Sequence, residues 1–249
     1  MQENNKQPIL SHLNELRVRL TKSLIAIIVC IIISFPIARY IFPILMKPVS
    51  DIDLYYFEVT GLFGSYIKIC LYLALAISGP YILYQIVMFI SPALRRKEKG
   101  YLYTLLPSTI ILFVGGVIFC YFVLLPPGLN FLYHVFPEWV GGGIEPLWSV
   151  SDYVSKVIQL LFWVGVVFEI PLVMFFLSKI GVLSPQWIIK KWKWAVLLAF
   201  LLGAIITPTP DPVNQTLVAV PILVLYGLGY ILARIARAGL PFRSKKSKS

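Results

Sequence analysis

Charge is scarce in this chain. Of 249 residues only 13% are Asp, Glu, Lys or Arg and 59% are apolar, against roughly 25% charged in an average soluble domain. That balance excludes an ordinary water-soluble domain. Acids are the scarcer sign: 11 Asp and Glu face 22 Lys and Arg, for a formal net charge of +11. Such an excess serves nucleic-acid binding only when basic side chains cover a water-soluble face. Here they sit in short clusters between long apolar runs, as in a membrane protein. Catalytic signatures are missing as well. The two histidines, His12 and His134, fall at opposite membrane faces, and there is neither H-E-x-x-H nor G-x-S-x-G. A zinc site and a nucleophile elbow are thereby removed. Cys30, Cys70 and Cys120 all lie inside apolar runs without C-x-x-C spacing, and read as small core hydrophobes. No internal repeat is evident, which argues against the usual secondary-transporter architecture. A cleavable signal or transit peptide ahead of the first span is not expected, since the N-terminus stays polar through Leu20.

Apolar length is what the chain has. Uncharged runs occur at Ser23–Ala38, Ile69–Leu94, Gly100–Pro137, Trp194–Pro210 and Pro212–Ala233, and Val157–Ser178 is broken only by Glu169. About 20 apolar residues cross a hydrocarbon core of about 30 Å. The pattern predicts an all-α integral membrane protein, 1–249 forming one membrane domain. Its six transmembrane helices are expected near 21–39, 66–90, 104–125, 154–178, 193–207 and 213–234. The third run is too long for one span, so Pro126 and Pro127 are expected to end its helix. The fifth is too short. About 13 residues at 1.5 Å each give roughly 20 Å before Thr207-Pro208-Thr209-Pro210. Helices five and six are therefore expected to form a short hairpin that stops below the far surface.

Lysine and arginine set the orientation. Every basic residue except Arg39, Lys47, Lys68 and Lys156 lies in the N-terminal segment, the connections after spans two and four, or the tail 235–249 and its approach. Lys68 and Lys156 sit at span ends, where they can snorkel. Both termini are thus expected on the cytoplasmic side.

Three stretches at membrane boundaries stand out. HLNELRVRL, His12 to Leu20, spaces Leu13, Leu16 and Leu20 on one helical face, so an amphipathic surface helix is expected at about 8–20. SGPYILYQIVMFISPALRRKEKG runs from Ser78 to Gly100. VVFEIPLV carries Glu169 and is followed by ITPTPDPVNQTLVAVP, Ile206 to Pro221. In this order and spacing the motifs resemble the TatC family, the signal-receptor subunit of the twin-arginine protein translocase, along nearly the whole chain. The first cytoplasmic loop departs from the pattern with Arg95-Arg96-Lys97, more basic than in many relatives, and the hairpin turn is proline-rich. The resemblance implies a six-helix glove-like fold in a prokaryotic cytoplasmic membrane, without enzymatic activity, cofactor or nucleic-acid partner. It further implies a cytoplasmic docking site for Arg-Arg signal peptides and an oligomeric complex with single-span TatA and TatB-like proteins. Export of folded proteins would be driven by the proton-motive force.

Candidate site residues follow. Only Glu3, Glu15 and Glu98 are acids on the cytoplasmic side, and two of them lie in the motifs. A carboxylate offers a guanidinium two oxygens in a matching fork. The resemblance implies that Glu15 and Glu98 are signal-peptide ligands, with Leu16, Arg17, Phe89, Tyr84 and Gln85 around them. The plain alternatives are that Glu15 pairs with Arg19 at i,i+4, that Glu98 pairs with Arg95 or Lys99, and that the aromatics anchor at the headgroups. Glu169 stands at a depth where an acid costs several kcal/mol. A structural, hydrogen-bonded carboxyl is one reading. The resemblance implies the other, that Glu169 borders a hydrated intramembrane cavity with Gln215 as its polar companion. Pro171 is expected to kink the helix there. Asp211 is either a cap of helix six or part of a partner interface.

Three other functions fit the sequence less well. An ion-coupled carrier usually needs several intramembrane ionisable groups, and only Glu169 lies deep. An intramembrane enzyme lacks the signatures named above, and a scaffold shades into the translocase reading.

Overall fold

The computed structural model describes the backbone of residues 7–90, 100–141, 147–207 and 211–238, with side chains within 13–89, 106–141, 147–207 and 211–237. Among these residues the fold is helical, as expected, with one two-residue β pair. The chain divides into two units, Met1–Gly165 and Val166–Ser249.

In the first unit, α1 (Gln7–Met46) is a single helix of 40 residues. At 1.5 Å per residue it extends about 60 Å. The expected division into a surface helix at 8–20 and a span at 21–39 is not present as a break. No Gly or Pro lies between Ile9 and Phe35 to interrupt the backbone, and the helix continues through Pro36 and Pro43. Its far end is closed by tyrosines. Pro48 has no N–H to give the Ile44 carbonyl, and the Tyr121 hydroxyl donates to that oxygen instead, at 2.8 Å. The buried Tyr153 hydroxyl donates to Leu45 O at 2.8 Å.

Helix α2 (Gly61–Ile90) packs along α1, and Tyr66 Oη donates to Phe35 O at 2.5 Å. Strands β1 (Leu54–Tyr55) and β2 (Trp148–Ser149) pair in parallel, Leu54 opposite Trp148 and Tyr55 opposite Ser149.

The third span corrects the sequence expectation. Helices α3 (Gly100–Phe119), α4 (Leu125–Asn130) and α5 (Phe136–Val140) run end to end through π turns at Cys120–Leu124 and Phe131–Val135. Pro126 and Pro127 therefore do not end the helix. Each π turn lies just before proline: Leu125 N reaches back five residues to Cys120 O ahead of Pro126-Pro127, and Phe136 N to Phe131 O ahead of Pro137. The wider turn makes room for rings that would clash with the carbonyl four residues back.

The fourth expected span, 154–178, is two helices, α6 (Val150–Val167) and α7 (Ile170–Lys179). They are interrupted at Phe168 and Glu169, where Pro171 leaves the Val167 carbonyl without its donor.

The second unit is built around α10 (Pro212–Ala238), against which α7, α8 (Pro185–Lys190) and α9 (Trp192–Ile206) pack. Gly181, at φ 84°, closes α7 in the left-handed conformation, and Ser184 Oγ caps α8 by accepting from Trp187 N at 3.1 Å. Met174, Ile188 and Ala233 are buried together with Ile170, Leu183, Tyr226 and Tyr230 around them. Tyr226 Oη donates to Ile188 O at 2.7 Å.

Five stretches among the described residues are long and apolar enough to cross a membrane: Leu13–Val49, Gly61–Phe89, Leu106–Val140, Val150–Lys179 and Pro212–Arg237. Trp192–Ile206 is a shorter sixth. Its 15 residues reach about 22 Å, short of the roughly 30 Å core. Leu24, Ile25, Ile28 and Ile32 on α1 are each more than half exposed, a face suited to lipid.

The hairpin depends on a close approach. A Cβ at Gly203 would lie 2.9 Å from the Gln215 carbonyl oxygen, whereas one at Gly227 would meet nothing within 4 Å. Gly203→Ala should therefore destabilise the detergent-solubilised protein by about 1–3 kcal/mol, with Gly227→Ala neutral or slightly stabilising. Thermal unfolding of the two variants side by side checks this; equal midpoints would contradict the approach of α9 to α10.

Candidate functional site

Two places gather the expected residues, one in each unit. In the first, α1 brings Glu15 and α2 brings Gln85 to a common cluster. Arg19, one turn beyond Glu15, joins them: its Nε and Nη2 donate to Glu15 Oε1 at 3.0 and 2.6 Å, and its Nη1 donates to Gln85 Oε1 at 3.0 Å. Gln85 is buried, and its Nε2 donates to the Tyr81 hydroxyl at 2.7 Å. Tyr84 stacks on Tyr81 with ring centroids 6.5 Å apart. Phe89 lies half-buried one turn further along α2.

The i,i+4 pair of Glu15 with Arg19, the plain alternative for Glu15, is formed. The two side chains remain 37% and 20% exposed respectively, so solvent screens the pair to the roughly 0.2–1 kcal/mol of a surface ion pair. Arg17 is turned elsewhere. With Asn14, Val18, Thr21 and Lys22 it lines an open groove on α1. Leu16 is substantially exposed. Glu98 lies outside the described residues. Sequence reading named Arg19 only as a partner of Glu15. The i,i+4 spacing was visible, but the bond to Gln85, 66 residues away, carries no local signal.

In the second unit, Glu169 immediately precedes α7, and its backbone N–H bonds Val166 O at 3.1 Å. The residue is only 9% exposed, and neither carboxylate oxygen has a hydrogen-bond partner among the described residues. Gln215 is not its companion. The Gln215 amide donates to Phe200 O at 2.8 Å and ties α10 to α9, because the Gly203 approach brings that turn of α9 within reach. Asp211 stands at the start of α10. Its Oδ1 accepts from Asn214 N at 2.7 Å and its Oδ2 from Asn214 Nδ2 at 3.0 Å, which caps α10.

Comparison with known proteins decides the family. The profile of the Sec-independent protein translocase protein (TatC) family matches residues 11–221. The chain belongs to the TatC family. The Carboxydothermus hydrogenoformans TatC is 32% identical over 237 residues, covering 94% of this chain and 96% of that one. The Aquifex aeolicus TatC is 38% identical over 234 residues, covering 92% and 95%. A crystal structure described as the twin arginine translocase receptor TatC superposes with a TM-score of 0.78 at 38% identity, over 90% of this chain and 99% of that one. This TatC-family chain is therefore a multi-pass membrane component of the Sec-independent translocase, in a family of transport proteins rather than enzymes.

Glu169 is costly to the fold, since a buried acid without a partner loses several kcal/mol of hydration. Glu169→Leu should therefore leave the melting temperature in detergent unchanged or raised, while translocase-dependent export falls severalfold. Measuring both on one preparation separates the cases. A lowered melting temperature with full export would make Glu169 a structural residue.

Proposed function

We propose that this chain is the receptor and core subunit of a twin-arginine translocase, which binds Arg-Arg signal peptides at its cytoplasmic face. On this reading it organises single-span TatA and TatB-like partners to export folded proteins, driven by the proton-motive force. The observation that carries it is the juxtaposition of two motifs distant in sequence: HLNELRVRL on α1 and the Tyr84-Gln85 end of α2, joined through Arg19 and Gln85 at 3.0 Å. Glu98 follows the end of α2 in sequence. On this reading the two carboxylates together suit a pair of guanidinium groups. Tyr84, Phe89 and Leu16 supply apolar surface beside them.

The distribution of basic residues supports a cytoplasmic placement of both termini, in a prokaryotic cytoplasmic membrane. The shortness of α9 and the exposure of its Leu197, Leu198, Leu201 and Ile205 support a face where a partner helix packs. Glu169, buried and without a hydrogen-bond partner among the described residues, supports the reading of a polar contact point within the membrane that assembly uses.

Binding of a precursor to the detergent-solubilised complex tests the receptor role. Glu15→Ala and Glu98→Ala should each weaken an Arg-Arg precursor roughly tenfold, since a charge-assisted hydrogen bond contributes about 1.5–3 kcal/mol and about 1.4 kcal/mol is a factor of ten. Glu→Lys at either position should weaken it further, because the surrounding side chains are already basic. Undiminished binding by both alanine variants would place recognition elsewhere.

A further inference from the structure

Arg19 occupies the place on Glu15 that a bound guanidinium needs. Two of its N–H groups converge on Oε1, from Nε at 3.0 Å and Nη2 at 2.6 Å. A carboxylate oxygen has two lone pairs, so Oε1 is filled, and nothing among the described residues bonds Oε2. A bidentate arginine contact uses one acceptor site on each oxygen. An incoming guanidinium thus meets a half-open carboxylate whose charge is already neutralised. The third N–H direction of Arg19, from Nη1, is held by Gln85 Oε1 at 3.0 Å. Gln85 in turn is buried and oriented by its bond to Tyr81.

We propose that Arg19 is an internal competitor for Glu15 and that a signal peptide docks by displacing it. The proposal rests on the reading of Glu15 as a docking carboxylate. Displacement is within reach because the pair is solvent-exposed and weak, and because the bond of Arg19 to Gln85 does not depend on Glu15. A signal-peptide guanidinium restores two parallel N–H bonds to the carboxylate, whereas an ammonium is a compact point charge without the planar fork. The cost of displacing Arg19 is the same for either cation, so the competitor lowers the affinity of the site without changing its preference. Tyr81 and Gln85 then act as the fixed rest on which the released guanidinium stays.

The test is binding of matched Arg-Arg and Lys-Lys precursors to the detergent-solubilised translocase complex. Arg19→Gln should tighten both precursors by roughly two- to fivefold, the strength of an exposed ion pair read as an affinity ratio, and leave the ratio between them fixed. Arg19→Lys, which keeps the charge without the fork, should tighten both by less and serves if Arg19→Gln does not accumulate. In a Glu15→Gln background neither change should tighten binding. A purely structural role for Arg19 predicts weakening of both ligands, and that result overturns the proposal, as does unchanged affinity. If Glu15→Gln alone leaves Arg-Arg binding intact, the docking reading itself fails and the competitor falls with it. If Glu15→Gln weakens binding but Arg19→Gln does not tighten it, only the competitor is lost.

Discussion

Inside hydrocarbon a backbone carbonyl has no water to bond, and each proline in a span leaves one carbonyl without its helical donor. With 18 prolines, this chain meets that constraint repeatedly and answers it in different ways. At Pro48 a tyrosine hydroxyl supplies the missing donor to Ile44. At Pro126-Pro127 and Pro137 the helix widens to π turns and carries on. At Pro171 the helix stops and restarts, with Glu169 at the interruption. The first two devices preserve long rigid spans. The third opens the backbone at the one position where the sequence also places a buried acid.

Glu15 and Glu169 sit in opposite circumstances. Glu15 is reachable by solvent and paired with Arg19, so it costs the fold little and its pairing can be exchanged. Glu169 is buried with both oxygens unbonded, a cost that no contact among the described residues offsets. Other buried polar side chains are mostly tied locally: Ser65 to Gly61 O, Ser78 to Ala74 O, Thr207 to Gly203 O. Ser34 and Ser178 also lack partners, but a neutral hydroxyl loses far less on burial than a carboxylate does. An exchangeable pair suits a site that must bind and release. An unpaired acid suits a site completed by something else.

Much of this was legible beforehand, and the reason differs by feature. The six apolar segments could be read because hydropathy over some 20 residues is a local property. The short α9 was announced by Thr207 and the prolines after it. The helix break near Glu169 followed from Pro171. Continuity through Pro126-Pro127 was not legible, because a π turn depends on how far the surrounding backbone can widen. The bond of the Gln215 amide to Phe200 O was not legible either, because it follows from the approach at Gly203. The bond between Arg19 and Gln85 joins two helices, and nothing local to either motif announces it.

The central claim is that the end of the α1–α2 pair carrying Glu15 receives the twin-arginine signal. Photocrosslinking addresses it most directly, with probes at Leu16 and Lys99, beside the two acids, so that both carboxylates are kept. Inverted membrane vesicles containing the assembled complex would be offered an Arg-Arg precursor and its Lys-Lys counterpart. The account predicts crosslinks from both positions to the Arg-Arg signal peptide and far weaker ones to the Lys-Lys form. Precursor that binds the vesicles without crosslinking at either position, or that crosslinks equally well in both forms, would contradict it.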